Sequence, residues 1–436
     1  MDNIIFKRKI EEELLSWYSN KSFKPGLLLA GARQVGKTTS IRSFAKKNYQ
    51  SVIEMNFEAQ PSLKEIFKGD LDAETLLEKI SVAGLGRLIP KQTLIFFDEI
   101  QSCPEARTAT KFLVEDGRYD IISSGSLLGI NYREVSSYPV GFEYKIEMHS
   151  LDFEEFLWAN GIEENIIKKL YKAFVEKKEV DSFIHNRIME LFKRYMIVGG
   201  MPAVVKQYIA DKNIEFVLRR QRAIVQSYRD DISKYAGKRK GEAKLVFDSI
   251  PAQLMEKNKK FKLVTVEKDA RFRVYEDALM WLYDANIASF CFNVNSAELP
   301  FELNQKRNIF KFFMRDTGLL SFMSYGNVQK EILLDNLKIN EGAIVENAIA
   351  DLLLKKGHKL HYYDVKGRLE VDFLIADNNK VVPIEVKSGT DYKKHASLTT
   401  LLNKFTNIER AVVLSKYNVE LSDKIEYLPL YMVMFL

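Results

Sequence analysis

Short, mostly apolar runs alternate with helical stretches over the first 150 positions of the chain. Five such runs lie at residues 26–30, 52–57, 93–97, 120–123 and 143–148. Apolar strands separated by helices are typical of a parallel sheet that helices cover on both faces. The first part of the chain is therefore predicted to be an α/β domain built on a parallel sheet.

The pattern changes twice further along the chain. Residues 151–335 are mostly helical in period, and from residue 341 onward a helix precedes alternating strands. We therefore predict three domains, at residues 1–160, 161–335 and 336–436.

The composition indicates a globular protein. Of the 436 residues, 46% are hydrophobic and 28% are charged, which suits two to four packed units. No apolar run reaches the ~18 residues of a membrane span, and Cys103 and Cys291 are too far apart for a metal or redox motif. We therefore expect a cytoplasmic protein with reduced cysteines and no membrane contact.

The predicted middle domain carries the excess positive charge of the chain. The net charge is +6, and residues 187–273 hold 21 lysines and arginines against 10 acidic residues. Helices at 243–255 and 271–283 and a strand at 287–294 indicate a winged helix, a module that often places a helix in a DNA groove. The basic stretch 219–244 would suit backbone contacts with DNA or RNA. A solvated basic surface and an inert, lid-like winged helix are the alternatives.

A glycine-rich loop follows the first apolar run and precedes a predicted helix at 39–47. The loop and the first residue of that helix are candidate nucleotide ligands: Gly31, Ala32, Arg33, Gln34, Val35, Gly36, Lys37, Thr38 and Thr39. The glycines let successive backbone N–H groups point at phosphate oxygens, and the helix N-terminus adds a favourable partial charge. Lys37 would contact the outer phosphates, and the Thr38 hydroxyl would ligate Mg²⁺. The motif predicts ATP and Mg²⁺ as ligands.

Polar residues also end two later apolar runs, where ligands gather at the carboxyl edge of a parallel sheet. Asp98 would hold the Mg²⁺ shell, and Glu99 would orient and polarise the attacking water. Ser124, with Ser126 as the second choice, would sense the γ-phosphate or position water; a serine-rich turn explains this segment equally well. Three arginines are candidates for a transition-state charge: Arg33, Arg118 and Arg133.

These segments together resemble an AAA-type family of bacterial and archaeal ATPases whose members often carry a C-terminal region of unknown function. The resemblance covers nearly the whole chain and rests on residues 31–38, 98–101, 123–126, 151–156, 198–202, 228–231 and 316–320. In that family a Gly-Arg pair commonly precedes the last strand of the ATPase domain. Here Phe142 follows Gly141, so the resemblance assigns no arginine finger at this position, and a neighbouring subunit of an oligomer is an alternative source.

A hairpin with charged residues is predicted near the C-terminus. The runs 368–375 and 381–387 flank Asn378-Asn379, and asparagine tolerates the positive φ of a tight turn. In this register Asp372 faces Glu385, and Glu370 faces Lys387. Glu346, on a helix at 342–356, shares a face with apolar residues, where an unpaired carboxylate would be costly.

Opposed Asp372 and Glu385 repel each other unless a divalent cation bridges them. We therefore predict a metal site of Glu346, Asp372 and Glu385, with Lys387 beside the attacking hydroxide or the phosphate. The segment resembles restriction-endonuclease-like nucleases, which implies catalysis of phosphodiester cleavage by Asp372, Glu385 and Lys387. A surface hairpin with Lys–Glu pairs and a decayed site used for binding are the alternatives.

The predicted architecture is thus an α/β P-loop AAA-type domain, a helical and winged-helix region, and a small α/β restriction-endonuclease-like domain. Three functions follow from it. The first is an ATPase coupled to nucleic-acid binding or cleavage. The second is a nucleotide-switched regulatory protein whose nuclease-like domain does not cut, and the third is an ATPase that acts on a protein partner. An oligomer is compatible with all three.

Overall fold

A computed structural model describes residues 5–20, 23–126, 139–268, 270–326, 342–365 and 369–436. The chain divides into two compact units, residues 1–150 with 284–286, and residues 151–283 with 287–436. Two positions considered above, Arg133 and Arg368 at the start of the run 368–375, lie outside the described residues.

Five strands of the described residues form the sheet of the first unit. They are β1 (Gly26–Ala30), β2 (Ser51–Asn56), β3 (Thr93–Asp98), β4 (Asp120–Gly125) and β5 (Glu143–Glu147). Their order is β2-β3-β4-β1-β5, and every neighbouring pair is parallel. The parallel sheet predicted from the apolar runs is confirmed, and β1 and β4 bring the glycine-rich loop and Ser124 to the same edge.

Helices pack against this sheet. They are α1 (Ile10–Tyr18), α2 (Lys37–Asn48), α3 (Ala73–Val82) and α4 (Pro104–Asp116). One core cluster joins Leu28, Ile53 and Phe97 of the strands to Leu76 of α3 and Leu113 of α4, all fully or almost fully buried. Burial by these helices explains why β1 and β3 are buried at every position, whereas the edge strands β2 and β5 are buried only in part.

The second unit begins with a helical region. The described helices of the whole unit are α5 (Phe153–Ala159), α6 (Glu164–Glu176), α7 (Ser182–Val198), α8 (Pro202–Asp211), α9 (Ile214–Tyr235), α10 (Lys240–Met255), α11 (Phe272–Asp284), α12 (Phe301–Asn304), α13 (Thr317–Tyr325), α14 (Gly342–Lys355) and α15 (Ala396–Lys404). A capping box between Asp152 and Glu155 starts α5. Over the described ranges, none of the helices combines the length and apolar character needed to cross a bilayer.

Eight strands of the described residues form a second, mixed sheet. They are β6 (Ala288–Val294), β7 (Gln305–Met314), β8 (His361–Asp364), β9 (Glu370–Asp377), β10 (Lys380–Val386), β11 (Ala411–Ser415), β12 (Glu420–Ser422) and β13 (Ile425–Pro429). Their order is β12-β13-β11-β10-β9-β8-β6-β7. The C-terminal part of the chain is therefore an α/β structure, as predicted.

The predicted hairpin is confirmed between β9 and β10. Asn378 and Asn379 close it with φ of 47° and 60°, the positive values that a tight two-residue turn requires. The register pairs residues from Lys380 with Asp377 to Ile384 with Phe373, which is the predicted alignment. It extends no further toward Asp372, whose carboxylate accepts a hydrogen bond from the Val386 N–H at 2.8 Å.

The predicted break near residue 335 does not separate two compact units. Strands β6 and β7 belong to the same sheet as the C-terminal strands, because Phe292 of β6 pairs with His361 of β8. The helices and the strand of the predicted winged helix form, as α10, α11 and β6, but β6 lies between β7 and β8 and is not a free wing. Its side chains are almost all buried, and strands on both sides satisfy its backbone.

Two of the sequence motifs, at 198–202 and 316–320, meet in the second unit. A Cβ on Gly200 would lie 2.0 Å from the carbonyl oxygen of Leu151. The Gly200 N–H donates to Asp316 Oδ2 at 2.9 Å, and the Leu151 N–H donates to the Gly200 carbonyl at 2.7 Å. The motifs therefore join α7, α13 and the start of the unit through a backbone approach that a side chain would block.

Replacing Gly200 with alanine forces a methyl group against the Leu151 carbonyl oxygen. We expect the free energy of unfolding to fall by about 2–4 kcal/mol, as for other overpacked buried positions, measured by urea denaturation with circular dichroism. Gly241→Ala is the matched control, since a Cβ there meets nothing within 4 Å and alanine favours the helix α10. An equal loss in both variants would contradict the close-approach explanation.

Candidate functional site

The loop between β1 and α2 has the backbone geometry of a phosphate-binding loop. Gly31, Gln34 and Gly36 have φ of 153°, 66° and 101°. A Cβ on Gly31 would lie 2.1 Å from the Met148 carbonyl oxygen, so only glycine fits this position. Because α2 begins directly after Gly36, the unpaired N–H groups of its first turn lie at the end of the loop. This arrangement can cradle phosphate oxygens.

The Lys37 ammonium lies within the loop. It is buried, and its Nζ donates to the carbonyl oxygens of Gly31 at 3.0 Å and Ala32 at 2.8 Å. Burial lowers the pKa of Lys37 to about 8, and the charges of Glu99 and Asp98 oppose this shift. An ammonium has three donors, so one remains for an anion in this arrangement.

The Asp98 carboxylate connects the loop to the ends of β2, β3 and β4. It is buried and accepts hydrogen bonds from the Thr38 hydroxyl at 3.0 Å, from Asn56 Nδ2 at 2.8 Å and from the Ser124 hydroxyl. Sequence reasoning named Asp98, Thr38 and Ser124 as site residues, and the structure brings them together. Ser124 contacts Asp98, so it would act on a nucleotide through that carboxylate.

An Mg²⁺ ion that accompanies ATP would fit these residues. The Thr38 hydroxyl uses its proton in the bond to Asp98, which leaves oxygen lone pairs for a metal. The donors to Asp98 from Thr38, Asn56 and Ser124 are uncharged, so none of them cancels its negative charge. Oxygen ligands and a carboxylate whose hydrogen-bond donors are all uncharged suit a hard divalent cation. Thr38 and Asp98 would therefore hold the ion, which would supply positive charge to the phosphates.

Glu99 occupies a strained position at the end of β3. Its φ of 53° is in the left-handed region, which is rare for a residue other than glycine and recurs at functional sites. Its Oε2 accepts hydrogen bonds from Gln101 Nε2 at 2.6 Å and from the Ser126 hydroxyl at 3.2 Å. These uncharged donors orient a half-buried carboxylate that can accept a proton from water.

The remaining candidates from the sequence have different surroundings. Arg33 pairs with Glu58 at 3.1 Å. Arg118 precedes β4, at the opposite edge of the sheet from the loop, and pairs with Asp116 at 2.8 Å. Thr39 is an exposed residue of the first turn of α2. Both arginines thus already pair with a carboxylate of the chain, and neither offers an unpaired charge to a transition state.

Two residues that support the site were not among the predicted ones. Asn56 ends β2, next to β3, and the rule that polar residues at the carboxyl edge face the ligand could have found it. Arg8 is buried and donates from Nη1 to the Val35 carbonyl at 2.9 Å and from Nη2 to the His149 carbonyl at 2.7 Å. Its sequence context, a basic run beside three glutamates, resembles an exposed helix end, so no local signal marks it.

The predicted C-terminal cluster contains a cation that the sequence analysis did not include. Lys311 of β7 is 1% exposed, and its Nζ lies 2.9 Å from Glu346 Oε1 and 2.8 Å from Glu370 Oε1. Asp372 Oδ1 is 4.0 Å from the same nitrogen. Neighbouring carboxylates raise the pKa of Lys311 despite its burial. Glu346 is buried on α14, as predicted, but its partner is a lysine.

Two further lysines contact the second oxygen of Glu346 and the carboxylate of Glu385. Lys259 Nζ pairs with Glu346 Oε2, and Lys387 Nζ lies 2.8 Å from Glu385 Oε1. Burial and nearby carboxylates raise the pKa of Asp372, and burial raises that of Glu385. Over the part of the chain that the structure describes, no three carboxylate, histidine or cysteine side chains are grouped so that they could hold a metal. Ammonium groups thus lie beside the three carboxylates of the predicted metal site, Glu346, Asp372 and Glu385.

One feature of the sequence could have indicated the role of Lys311. It interrupts the apolar segment 309–314, where Phe310 and Phe312 flank it. A lysine in the middle of a buried strand requires a compensating charge, so this position could have been assigned to the cluster. The partner could not be identified, because Glu346 and Glu370 are distant in sequence.

The order of the parallel sheet, the loop at 31–38 and the buried Asp98 define a P-loop nucleotide-binding domain. Residues 24–157 match the family model described as an AAA domain. This part of the chain, most of which lies in the first unit, is therefore similar to AAA domains. Residues 189–330 and 341–433 match models described as domains of unknown function, DUF8612 and DUF4143. No curated protein sequence matches the chain.

Several solved structures are distantly similar to the chain. C. elegans PCH-2 matches at 12% identity and TM-score 0.26, over 42% of this chain and 51% of that one, so the matched part spans about half of PCH-2. The Aeropyrum pernix ORC1 protein, solved in complex with DNA, matches at 14% and TM-score 0.28, over 81% and 94%. AMPPCP-bound DnaA from Aquifex aeolicus matches at 14% and TM-score 0.29, over 63% and 86%. Scores this low carry no argument about this chain.

The lowered pKa of Lys37 predicts that nucleotide binding depends on pH. Below pH 8 the ammonium is already charged, whereas above pH 8 it must take up a proton when phosphates bind. We therefore expect affinity for Mg-ATP to fall as pH rises above about 8, by up to about tenfold per pH unit. Calorimetry in buffers of different ionisation enthalpy should show nearly one proton taken up at pH 9 and little at pH 7. Binding without proton uptake at pH 9 would contradict the assignment.

Proposed function

We propose that the chain binds ATP with Mg²⁺ at the loop of residues 31–38 and hydrolyses it. The observation that supports this most strongly is the buried Asp98 carboxylate, which accepts the Thr38 hydroxyl at 3.0 Å and retains its charge for a cation. Lys37 and the loop N–H groups would hold the phosphates, and charge that develops during phosphoryl transfer would be stabilised there.

Glu99 is proposed to orient and polarise the attacking water. Its carboxylate is positioned by Gln101 and Ser126, and these donors leave Oε1 for a water molecule. Since Glu99 acts on water and not on the phosphates, its loss should affect turnover far more than binding.

Glu99→Gln tests this division of roles. We expect kcat for phosphate release to fall by about 10²–10⁴-fold, the usual contribution of a positioned acid–base group, while Kd for Mg-ATP changes little. Glu115→Gln, an exposed glutamate of α4, is the matched control and should retain turnover. Lys37→Ala should abolish turnover through loss of phosphate binding. Full turnover in Glu99→Gln would exclude Glu99 as the residue that activates water.

We further propose that the second unit binds the phosphate backbone of a nucleic acid. The supporting observation is the basic turn, residues 234–244, which runs from the end of α9 into the first part of α10 and in which Lys238, Lys240 and Lys244 are exposed. Within it Arg239 pairs with Glu242 at 3.1 Å, so the exposed lysines carry the excess charge. Clustered lysines attract phosphates without reading base sequence.

A short covalent path favours control of this binding by the nucleotide. The Met148 N–H donates to the carbonyl of Ala30, directly before the loop, at 2.7 Å in the first unit. Three residues later, the Leu151 N–H donates to the Gly200 carbonyl at 2.7 Å in the second unit. A shift of the loop on ATP binding would therefore be passed to the second unit through few freely rotating bonds. We thus propose that the chain binds nucleic acid under the control of nucleotide binding.

The basic turn makes a measurable prediction. Changing Lys238 and Lys240 together to glutamine should weaken binding to a 30-nucleotide DNA or RNA duplex. It should also reduce the slope of log K against log salt by about 2, because each phosphate contact contributes roughly 0.9 on B-DNA. Lys168 and Lys169, exposed on α6, provide the matched double-glutamine control. Salt-independent retention, or an equal loss in the control, would refute the role of the basic turn.

A further inference from the structure

A restriction-endonuclease-like fold would require a divalent metal at the C-terminal cluster, and the residues present do not fit one. We infer that Lys311 is a built-in cation that takes the metal's place, so that the cluster stabilises the fold and does not cleave phosphodiesters. The inference concerns the second unit and does not depend on the proposed ATPase activity.

The carboxylate oxygens of the cluster are largely engaged by protein donors. Glu346 is held at both oxygens, by Lys311 and Lys259. Glu370 pairs with Lys311, and Asp372 Oδ2 accepts the Val386 N–H at 2.8 Å. Four acids therefore face three lysines when Lys387 beside Glu385 is included. Little negative charge remains to attract an ion that carries two positive charges.

Lys311 is not placed to leave the cluster readily. Its side chain is 1% exposed, and its Nζ lies 4.9 Å from the centre of the Tyr362 ring. Its strand position is directly opposite the buried Cys291 of β6. A metal beside Asp372 would have to tolerate this ammonium at close range in a buried setting, where like charges repel strongly.

Some oxygens of the cluster have no close donor, and Asp372 Oδ1 lies 4.0 Å from Lys311 Nζ, beyond hydrogen-bond distance. Glu385 Oε2 is buried and has no hydrogen-bond partner among the described residues. A divalent cation of the kind that supports phosphodiester cleavage is usually held by one or two carboxylates together with waters and phosphate oxygens, and activation of a water by such an ion needs a coordinated, positioned metal. Here the carboxylate oxygens without a close donor lie beside the ammonium groups of Lys311, Lys259 and Lys387, whose positive charge repels such an ion.

Mn²⁺ titration of the nucleotide-free full chain, by calorimetry and by electron paramagnetic resonance, tests the inference. Wild type and Asp372→Asn should bind Mn²⁺ identically, because the cluster takes up none. Lys311→Met, whose side chain is unbranched, one atom shorter and uncharged, should gain one site with a Kd at least about tenfold lower than any in wild type. Adding Asp372→Asn to Lys311→Met should remove that site. Lys306→Met, on the same strand β7 but outside the cluster, should gain nothing.

Thermal unfolding gives a second readout. Lys311→Met should have a lower Tm than wild type without metal, since it leaves buried carboxylates unpaired. Mn²⁺ at about 100 times its Kd should raise that Tm by roughly 5–10 °C, with no such rise for wild type.

Either of two results would overturn the inference. One is Mn²⁺ binding to wild type that Asp372→Asn abolishes, and the other is a folded Lys311→Met that gains no site. If Lys311→Met does not fold, the comparison of wild type with Asp372→Asn still decides. Mn²⁺-dependent DNA or RNA cleavage by wild type that Asp372→Asn removes would overturn it as well.

Discussion

The buried Asp98 carboxylate is the constraint on which the candidate nucleotide site depends. A carboxylate in this position is stable only if hydrogen-bond donors replace the water it has lost. The sheet supplies them, because its order places Asn56 of β2 and Ser124 of β4 on either side of β3. Thr38 adds a third donor from the start of α2. The loop and the sheet edge are thus held in one arrangement before a nucleotide arrives.

Features set by local sequence were predictable, and those set by distant pairing were not. The parallel strands, the phosphate loop and the hairpin at Asn378-Asn379 each follow from a few neighbouring residues, and the structure contains all three. The strand β6 was interpreted as part of a wing because its pattern predicts a strand. The pattern cannot show that β8, far away in sequence, pairs with it. Arg8 was missed because its carbonyl acceptors, on Val35 and His149, are far away in sequence.

In the C-terminal cluster, too, features set by local sequence were predictable and a charge pair between distant residues was not. The positions of Glu346, Asp372 and Glu385 were inferred from helix and strand periods, and burial of Glu346 was correct. Their chemistry was inferred from the opposed acids Asp372 and Glu385, whose repulsion a divalent cation would relieve, with Lys387 as the one lysine of the site. Lys311 enters from β7, outside the segment that resembles a nuclease, and it changes the balance of charge. A motif therefore gives the fold of such a site more securely than its activity.

Two buried acidic centres among the described residues satisfy their carboxylates in opposite ways. Asp98 accepts hydrogen bonds from two hydroxyls and an amide, which replace its hydration without cancelling its charge. Glu346 and Glu370 are paired with lysines, which cancel the charge directly. A carboxylate with uncharged donors can still attract a cation from solution. A carboxylate that is paired with a lysine is already neutralised by the chain itself. The type of donor, more than the number of acids, thus distinguishes a centre suited to Mg²⁺ from one suited to stabilising a fold.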